Sequence, residues 1–441
     1  MNGFTSAAFI TFFVMFLSGQ ITPSYSQTKI ISDQTERINQ HPDSLQVYPE
    51  KQSSEEQWEK IINTPGRLVF SPFKLTFLGM EEIVEEVDET MIIQRVIEYL
   101  SQYKPRGFSP QYSSRYGGGL LFYHKIPPYI DESQFDVSAQ WGTRHRKRYR
   151  MRLKDLQTFG KRFSTDVILY YQFLSDESFF GKGNDSKYSD ESKFAHKQTT
   201  VEASLKAYIS KQTIFLARFG IDRNNIKNAR TEKDEKLPYT TALYNEAQLP
   251  GLYKESNIAR IQFAMTSNSL NKRKRPTAGG LLSIESGAYN DIENEEFGFW
   301  KLSGSYKHYI HLFYDRTILL RMAAERTGEF SGKKIPFYYL SELGTEETIR
   351  GFTRSRFYDK DMLLGSVEYN YPVWRDLIDA GLFADAGKVS RNILDEFSLN
   401  DFNYSYGGFF NIWGKDKIQA QIMIGRSKDR TRYYFSWNKK L

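Results

Sequence analysis

The sequence has no cysteine among its 441 residues, which excludes disulfides and a lipid-anchored N-terminal cysteine. Long apolar runs are missing too. A helical membrane protein of this length carries several stretches of roughly 20 apolar residues, and none occurs downstream of residue 26. The signatures of common active sites are also lacking. The six histidines, at 41, 124, 145, 196, 308 and 311, form no metal-ligand pair on a helix, and no Gly-x-Ser-x-Gly elbow is present. His308 and His311 are expected to flank a tight turn and to be solvated or interfacial. Gly117-Gly118-Gly119 lacks the Lys-Ser/Thr ending of a phosphate loop; in a strand such glycines relieve crowding or weaken a seam. These absences leave no catalytic residue, no cofactor site and no metal site to propose, and the reading is of a protein that is not an enzyme. The formal charge of +7 comes without any recognised nucleic-acid motif, so a nucleic-acid partner is not expected.

Alternation is abundant. Phe135, Val137, Ala139 and Trp141 alternate with Asp136, Ser138 and Gln140. Tyr149, Met151 and Leu153 alternate with Arg148, Arg150, Arg152 and Lys154. Val201, Ala203, Leu205 and Ala207 oppose Glu202, Ser204 and Lys206, and the pattern recurs to Thr431, Tyr433, Phe435 and Trp437. Period two marks a strand whose faces meet unlike surroundings. Apolar rows long enough to cross a bilayer, with charges on the opposite face, describe an all-β fold: a transmembrane antiparallel β-barrel that hides its hydrophobicity from a hydropathy window. The 29 Tyr and 33 Phe suit its aromatic girdles. Tight turns are expected near 210–212, 310–311 and 414–415, and long polar connections at 174–197, 222–254 and 327–360. Long and short connections thus alternate, as on the two sides of an outer membrane. About fifteen strands can be counted from Gly117 onward; termini on one side require an even number, so sixteen are expected, the missing one lying before Ser164.

Ala7–Leu17 is an apolar core followed by small residues at Ser24 and Ser26. This reads as an export signal cleaved before Gln27, although no basic residue precedes the core, which leaves an uncleaved anchor as the alternative. Residues 27–109 are expected to be a periplasmic polar linker followed by an amphipathic helix over Glu81–Tyr103, with Ile83, Val84, Val87, Met91, Val96, Ile97 and Leu100 on its apolar side. The barrel is then expected over residues 110–441.

The most informative stretch is Leu343–Val389. It places Ile349-Arg350-Gly351-Phe352 in a long polar loop ahead of two alternating strands. In the first, Ser366 and Glu368 oppose Gly365 and Val367; in the second, Phe383 and Asp385 oppose Ala384 and Ala386. These residues resemble the C-terminal signature of the bacterial surface antigen family, the barrel half of BamA/TamA-type outer-membrane proteins. Two smaller echoes are Phe179-Phe180-Gly181-Lys182-Gly183-Asn184-Asp185 and Arg260–Gly280, the latter without the family's acidic residues. In that family the Arg-Gly-Phe loop folds back into the lumen, so the resemblance implies that Arg350 pairs there with Glu368 and Asp385. A guanidinium in a confined lumen needs carboxylates to offset desolvation. The larger relatives carry polypeptide-transport-associated (POTRA) domains ahead of the barrel; residues 27–109 do not show that module's element order, and a single degenerate copy is the alternative. The resemblance implies an outer-membrane protein of a Gram-negative-type bacterium, surrounded by outer-membrane lipid. It would assist insertion or passage of a polypeptide or lipid client. A passive or ligand-specific pore, and a structural or surface-interaction barrel, are the other readings.

Overall fold

The computed structural model describes residues 106–439, apart from 114, 127–132, 158–161, 230–236, 273–274, 375–376, 396, 400 and 415–417. The expected signal, the linker and the helix Glu81–Tyr103 lie outside the described residues.

Alternating residues form the strands they predict. The first four are β1 (Arg106–Ser113), β2 (Gly117–Lys125), β3 (Gln134–Trp141) and β4 (Lys147–Leu156). Then come β5 (Phe163–Phe179), β6 (Ser192–Tyr208), β7 (Thr213–Asn228), β8 (Ser256–Asn268) and β9 (Gly279–Asp291). β10 (Gly298–His311) and β11 (Thr317–Glu329) precede a short pair, β12 (Ser341–Leu343) and β13 (Phe357–Asp359). The chain continues through β14 (Asp361–Trp374), β15 (Ile378–Ser390), β16 (Asn403–Trp413), β17 (Ile418–Ser427) and β18 (Thr431–Lys439). Sixteen of these form one antiparallel sheet in sequence order, β1 to β11 and then β14 to β18; β12 and β13 form a separate hairpin inside the long β11–β14 connection. The strand that completes the sixteen is β1, paired with β2 from Arg106↔His124 to Ser113↔Gly117. It begins four residues before the expected boundary at 110.

Burial is inverted relative to a water-soluble protein. Exposed positions are apolar: Met151, Leu169, Val201, Phe219, Phe263, Val367, Ile422 and Tyr433 all face outward. Their sequence neighbours inside are polar and buried, among them Asp136, Lys206, Arg218, Gln262, Glu285 and Asp385. Lipid accepts the first set and a protein-lined lumen the second. Of the described residues, no helix is long and apolar enough to span a membrane.

Several boundaries differ from expectation for one reason. The apolar row reports where lipid ends, whereas the hydrogen-bonded ladder runs on into water. β5, β6 and β7 are 17, 17 and 16 residues long, more than the 9–11 a bilayer needs. The connections expected at 174–197 and 222–254 therefore shrink to 180–191 and 229–255. A bulge between Leu174 and Glu177 shifts the register where the row breaks. The turn placed at 310–311 lies instead at 312–316, because β10 continues to His311. His308 and His311 are thus both strand residues, and His308 Nδ1 lies 3.1 Å from the Tyr306 hydroxyl.

At the long-loop rim an apolar cluster closes over the sheet. Phe179, Phe194, Leu249, Leu252, Phe297, Phe337 and Tyr358 pack there with almost no exposure. Phe179 contributes edge contacts to Tyr244 and Phe337. Beneath the cluster, the Tyr339 hydroxyl donates to Asp222 at 3.0 Å. Burial holds that phenol well above its ordinary pKa, so it remains a donor.

Candidate functional site

The β12–β13 hairpin carries Arg350 at its tip, and the sheet register prepares a seat for it. Arg321, Ser366, Asp385, Ser405 and Ser427 are successive cross-strand partners on β11, β14, β15, β16 and β17. They form one polar row across the inner wall, because direct partners on adjacent strands share a face. The tip lies on this row. Arg350 Nε donates to Asp385 Oδ2 at 2.9 Å, and Nη2 donates to the other carboxylate oxygen. Nη1 donates to Glu368 Oε1 at 2.7 Å and Nη2 to Ser366 Oγ at 2.9 Å. The Ser366 hydroxyl donates in turn to Asp385 at 2.7 Å, and Ser405 adds a weaker bond at 3.3 Å. Below the guanidinium, the Phe383 ring centroid is 3.6 Å away. The backbone N–H of Arg350 also donates to Asp385, at 3.0 Å. Arg350 and Asp385 are only 3% and 2% exposed, so the fork-to-carboxylate geometry has little competition from water.

Glu368 has a second cation, Arg321 Nη1 at 2.9 Å. Asp385, by contrast, has Arg350 as its cation in the cluster. This asymmetry makes Asp385 the more dependent partner.

The motif's other residues shape the tip. Ile349 and Phe352 sink into an apolar cluster with Leu343, Phe357, Met362, Leu364 and Val389. They anchor the side of the hairpin opposite the guanidinium. Gly351 has φ +87°, and a Cβ there would come within 2.9 Å of the Arg426 carbonyl carbon. Only glycine permits both the left-handed backbone and this approach to β17. Its N–H donates to the Tyr434 hydroxyl at 2.8 Å, and its carbonyl accepts from Ser427 at 2.9 Å. The tip therefore bonds directly to β14, β15, β17 and β18, and reaches β16 through the Ser405–Asp385 bond.

A second set of contacts holds the hairpin's returning side. Arg356, 1% exposed, donates from Nε to Asp429 at 2.7 Å and from Nη1 and Nη2 to the hydroxyl and carbonyl of Ser186, each at 2.7 Å. Its guanidinium lies over Phe180 and Phe357, 4.9 and 4.5 Å from their centroids. The Phe179–Asp185 segment thus crosses the rim to reach it. Asn184 accepts from the Val389 N–H at 3.2 Å and from Asn403 Nδ2 at 2.8 Å, while Gly183 N–H donates to the Tyr358 carbonyl at 2.8 Å.

The structure brings together all six residues named from sequence: Ile349, Arg350, Gly351, Phe352, Glu368 and Asp385. Sequence reasoning missed Arg321, Ser366, Ser405, Ser427 and Tyr434 as members. Ser366 was visible on the face of Glu368, but the others depend on strand register. Arg260 on β8 was also missed; it donates to Glu202 on β6 and, at 2.9 Å, to Asp222 on β7.

The model of the Omp85 superfamily domain matches residues 133–412, which spans most of the sheet and the whole hairpin. The chain belongs to the Omp85 superfamily. It is an outer-membrane β-barrel of that superfamily. Among solved structures it is similar to BamA from Haemophilus ducreyi lacking POTRA domains 1–3, at 15% identity, over 76% of this chain and 70% of that one, with a TM-score of 0.55. It also matches CdiB from Escherichia coli, at 12% identity over 76% of this chain and 62% of that one, TM-score 0.48. CdiB from Acinetobacter baumannii matches at 10% identity over 75% and 58%, TM-score 0.46. The BamA likeness carries the fold alone, at that identity. No curated protein sequence matches the chain.

Proposed function

We propose that this Omp85 barrel assists the insertion or passage of a polypeptide client at the outer membrane, and that it does so without bond chemistry. The observation that carries this reading is the Arg350 hairpin, seated on a polar row that five strands supply. A passive pore gains nothing from a buried guanidinium held by two carboxylates across its lumen. A barrel whose wall must keep its shape while a client moves along it does gain, because the tip braces β14 to β18 as a unit. Two further features favour the reading. The long loops pack an apolar cluster at the rim instead of lining an open mouth with charge, and β1 and β18 lie side by side with no ladder between them among the described residues. Membership of the Omp85 superfamily supports the same reading.

On this reading the long loops face outward and the short turns face the periplasm. The chain is exported, with residues 1–26 as signal and 27–105 on the periplasmic side. The lack of a POTRA-like element order in that segment favours a specialised relative over a general assembly factor. Depletion followed by an outer-membrane proteome tests it, alongside planar-bilayer conductance of the purified protein. The expected result is loss of a small set of outer-membrane or exported proteins, with low, unsteady conductance. Steady ohmic conductance with an unchanged proteome would leave the pore reading instead.

A further inference from the structure

Among the described residues, one strand of the inner wall carries charge without an ion-pair partner. β4 turns Arg148, Arg150 and Arg152 inward while Tyr149 and Met151 face outward. Arg152 is neutralised, donating from Nε and Nη2 to its cross-strand partner's carboxylate, Asp136 Oδ2, at 3.1 and 2.8 Å. The other two are not. Arg150 sits between Ser138 and Tyr170, and Arg148 between Gln140 and Gln172. Continuing along the Arg148 row leads to Gln198 and then Asn224, again amides. The acid nearest Arg150 is Asp136, diagonal to it on β3 and already held by Arg152; along its own row the next is Asp222, three strands away and taken by Arg260 and Tyr339. Among the described residues neither arginine has an ion-pair partner, and the Nε of each is buried without a hydrogen-bond acceptor. Arg148 only stacks, with Tyr116 and Tyr170 centroids at 4.8 and 5.7 Å.

A partly buried guanidinium whose Nε has no acceptor carries a desolvation cost, which an arriving anion would offset. The spacing says what kind. Residues two apart on a strand stand about 6.6 Å from one another along it, so the two forks lie side by side and do not converge on a point. One phosphate cannot satisfy both. Carboxylates at alternate positions of an extended polypeptide repeat at the same distance. The inward direction also argues against a lipid headgroup, which would meet the outer face.

We infer that Arg148 and Arg150 form a lumen site for an acidic, extended polypeptide segment, with carboxylates at i and i+2. The amides and hydroxyls around them supply uncharged hydrogen bonds to the segment's backbone, since the barrel's own backbone is used up in its ladders. This names the chemistry of the client and rests on the function proposed above.

The test uses the full mature chain in detergent micelles and a fluorescent (Glu-Ser)5 peptide, with (Gln-Ser)5 as control. Binding by anisotropy should favour the acidic peptide, weaken with salt, and fall by about tenfold or more in Arg148→Gln/Arg150→Gln, each charged hydrogen bond being worth roughly that factor. The double charge reversal Arg148→Glu/Arg150→Glu should instead bind (Lys-Ser)5. If a variant does not fold, competition in the wild type still decides. Displacement of (Glu-Ser)5 by equal carboxylate-equivalents of inorganic phosphate, or by micelles of a phosphorylated glycolipid, would overturn the polypeptide assignment. So would equal affinity for the two peptides, or Arg148→Gln/Arg150→Gln binding like wild type. Intact peptide binding with an unchanged proteome on depletion would instead count against the proposed function and leave this site standing.

Discussion

Replacing Arg350 by alanine should unseat the hairpin, and the structure says which partner suffers. Glu368 keeps Arg321 at 2.9 Å. Asp385 keeps two serine hydroxyls and one backbone N–H, and no cation of the cluster. At 2% exposure its charge cannot be rescued by water. Removing one member of a buried pair typically costs about 3–5 kcal/mol, chiefly through the charge left behind. Losing the guanidinium above Phe383 adds about 0.5–2 kcal/mol. A loss of about 3.5–7 kcal/mol is therefore expected in the stability of the β14–β18 region. Arg350→Lys should recover under half of it, since an ammonium cannot reach Asp385, Glu368 and Ser366 together. The decisive comparison is between second-site changes. Adding Asp385→Asn to Arg350→Ala should recover more than about 1 kcal/mol, whereas adding Glu368→Gln should recover little. Urea unfolding in liposomes, with limited proteolysis of residues 344–356 as a local reporter, measures both. Equal rescue by the two changes, or an Arg350→Ala barrel as stable and as protease-resistant as wild type, would refute the asymmetry argued here.

Gly351→Ala should loosen the same tip by about 1–3 kcal/mol through backbone strain alone, visible as faster cleavage of the hairpin with the strands intact. Val367→Lys, at 48% exposure on the lipid side of β14, should cost about 2–4 kcal/mol of membrane stability, read from the same urea titration. Arg356→Gln should free residues 180–188 from the β17–β18 connection, so that protease nicks them while folding yield stays unchanged. The wild-type barrel should run faster unheated than boiled on gels, because a sixteen-strand sheet bonds its backbone internally; recovery of a folded protein that is soluble without detergent would contradict that.

Alternation over β3, β6 or β14 was enough to determine the fold class, because lipid outside and a polar lumen inside impose period two on every strand. Connection parity determined the strand number and left only β1 unlocated, a strand whose residues Arg106–Ser113 alternate too weakly to stand out. The Arg350 motif and its two carboxylates were legible by resemblance, since all lie in or beside strands with a clear inner face. The row Arg321–Ser366–Asp385–Ser405–Ser427 was not, because membership is set by register between five strands, and a slip of one residue would turn each side chain to lipid. The same holds for Arg148 and Arg150. Their inward direction is written in the alternation of β4, but that amides flank Arg148 and hydroxyls flank Arg150, with no carboxylate directly opposite either, follows only from which residues of β3 and β5 the ladder places there. The clasp of Asn184 and Arg356 joins residues more than 160 positions apart, and nothing local in either segment encodes the other. Local pattern reports the medium each residue meets; only the register of the sheet and the folding of its loops decide which charges meet each other.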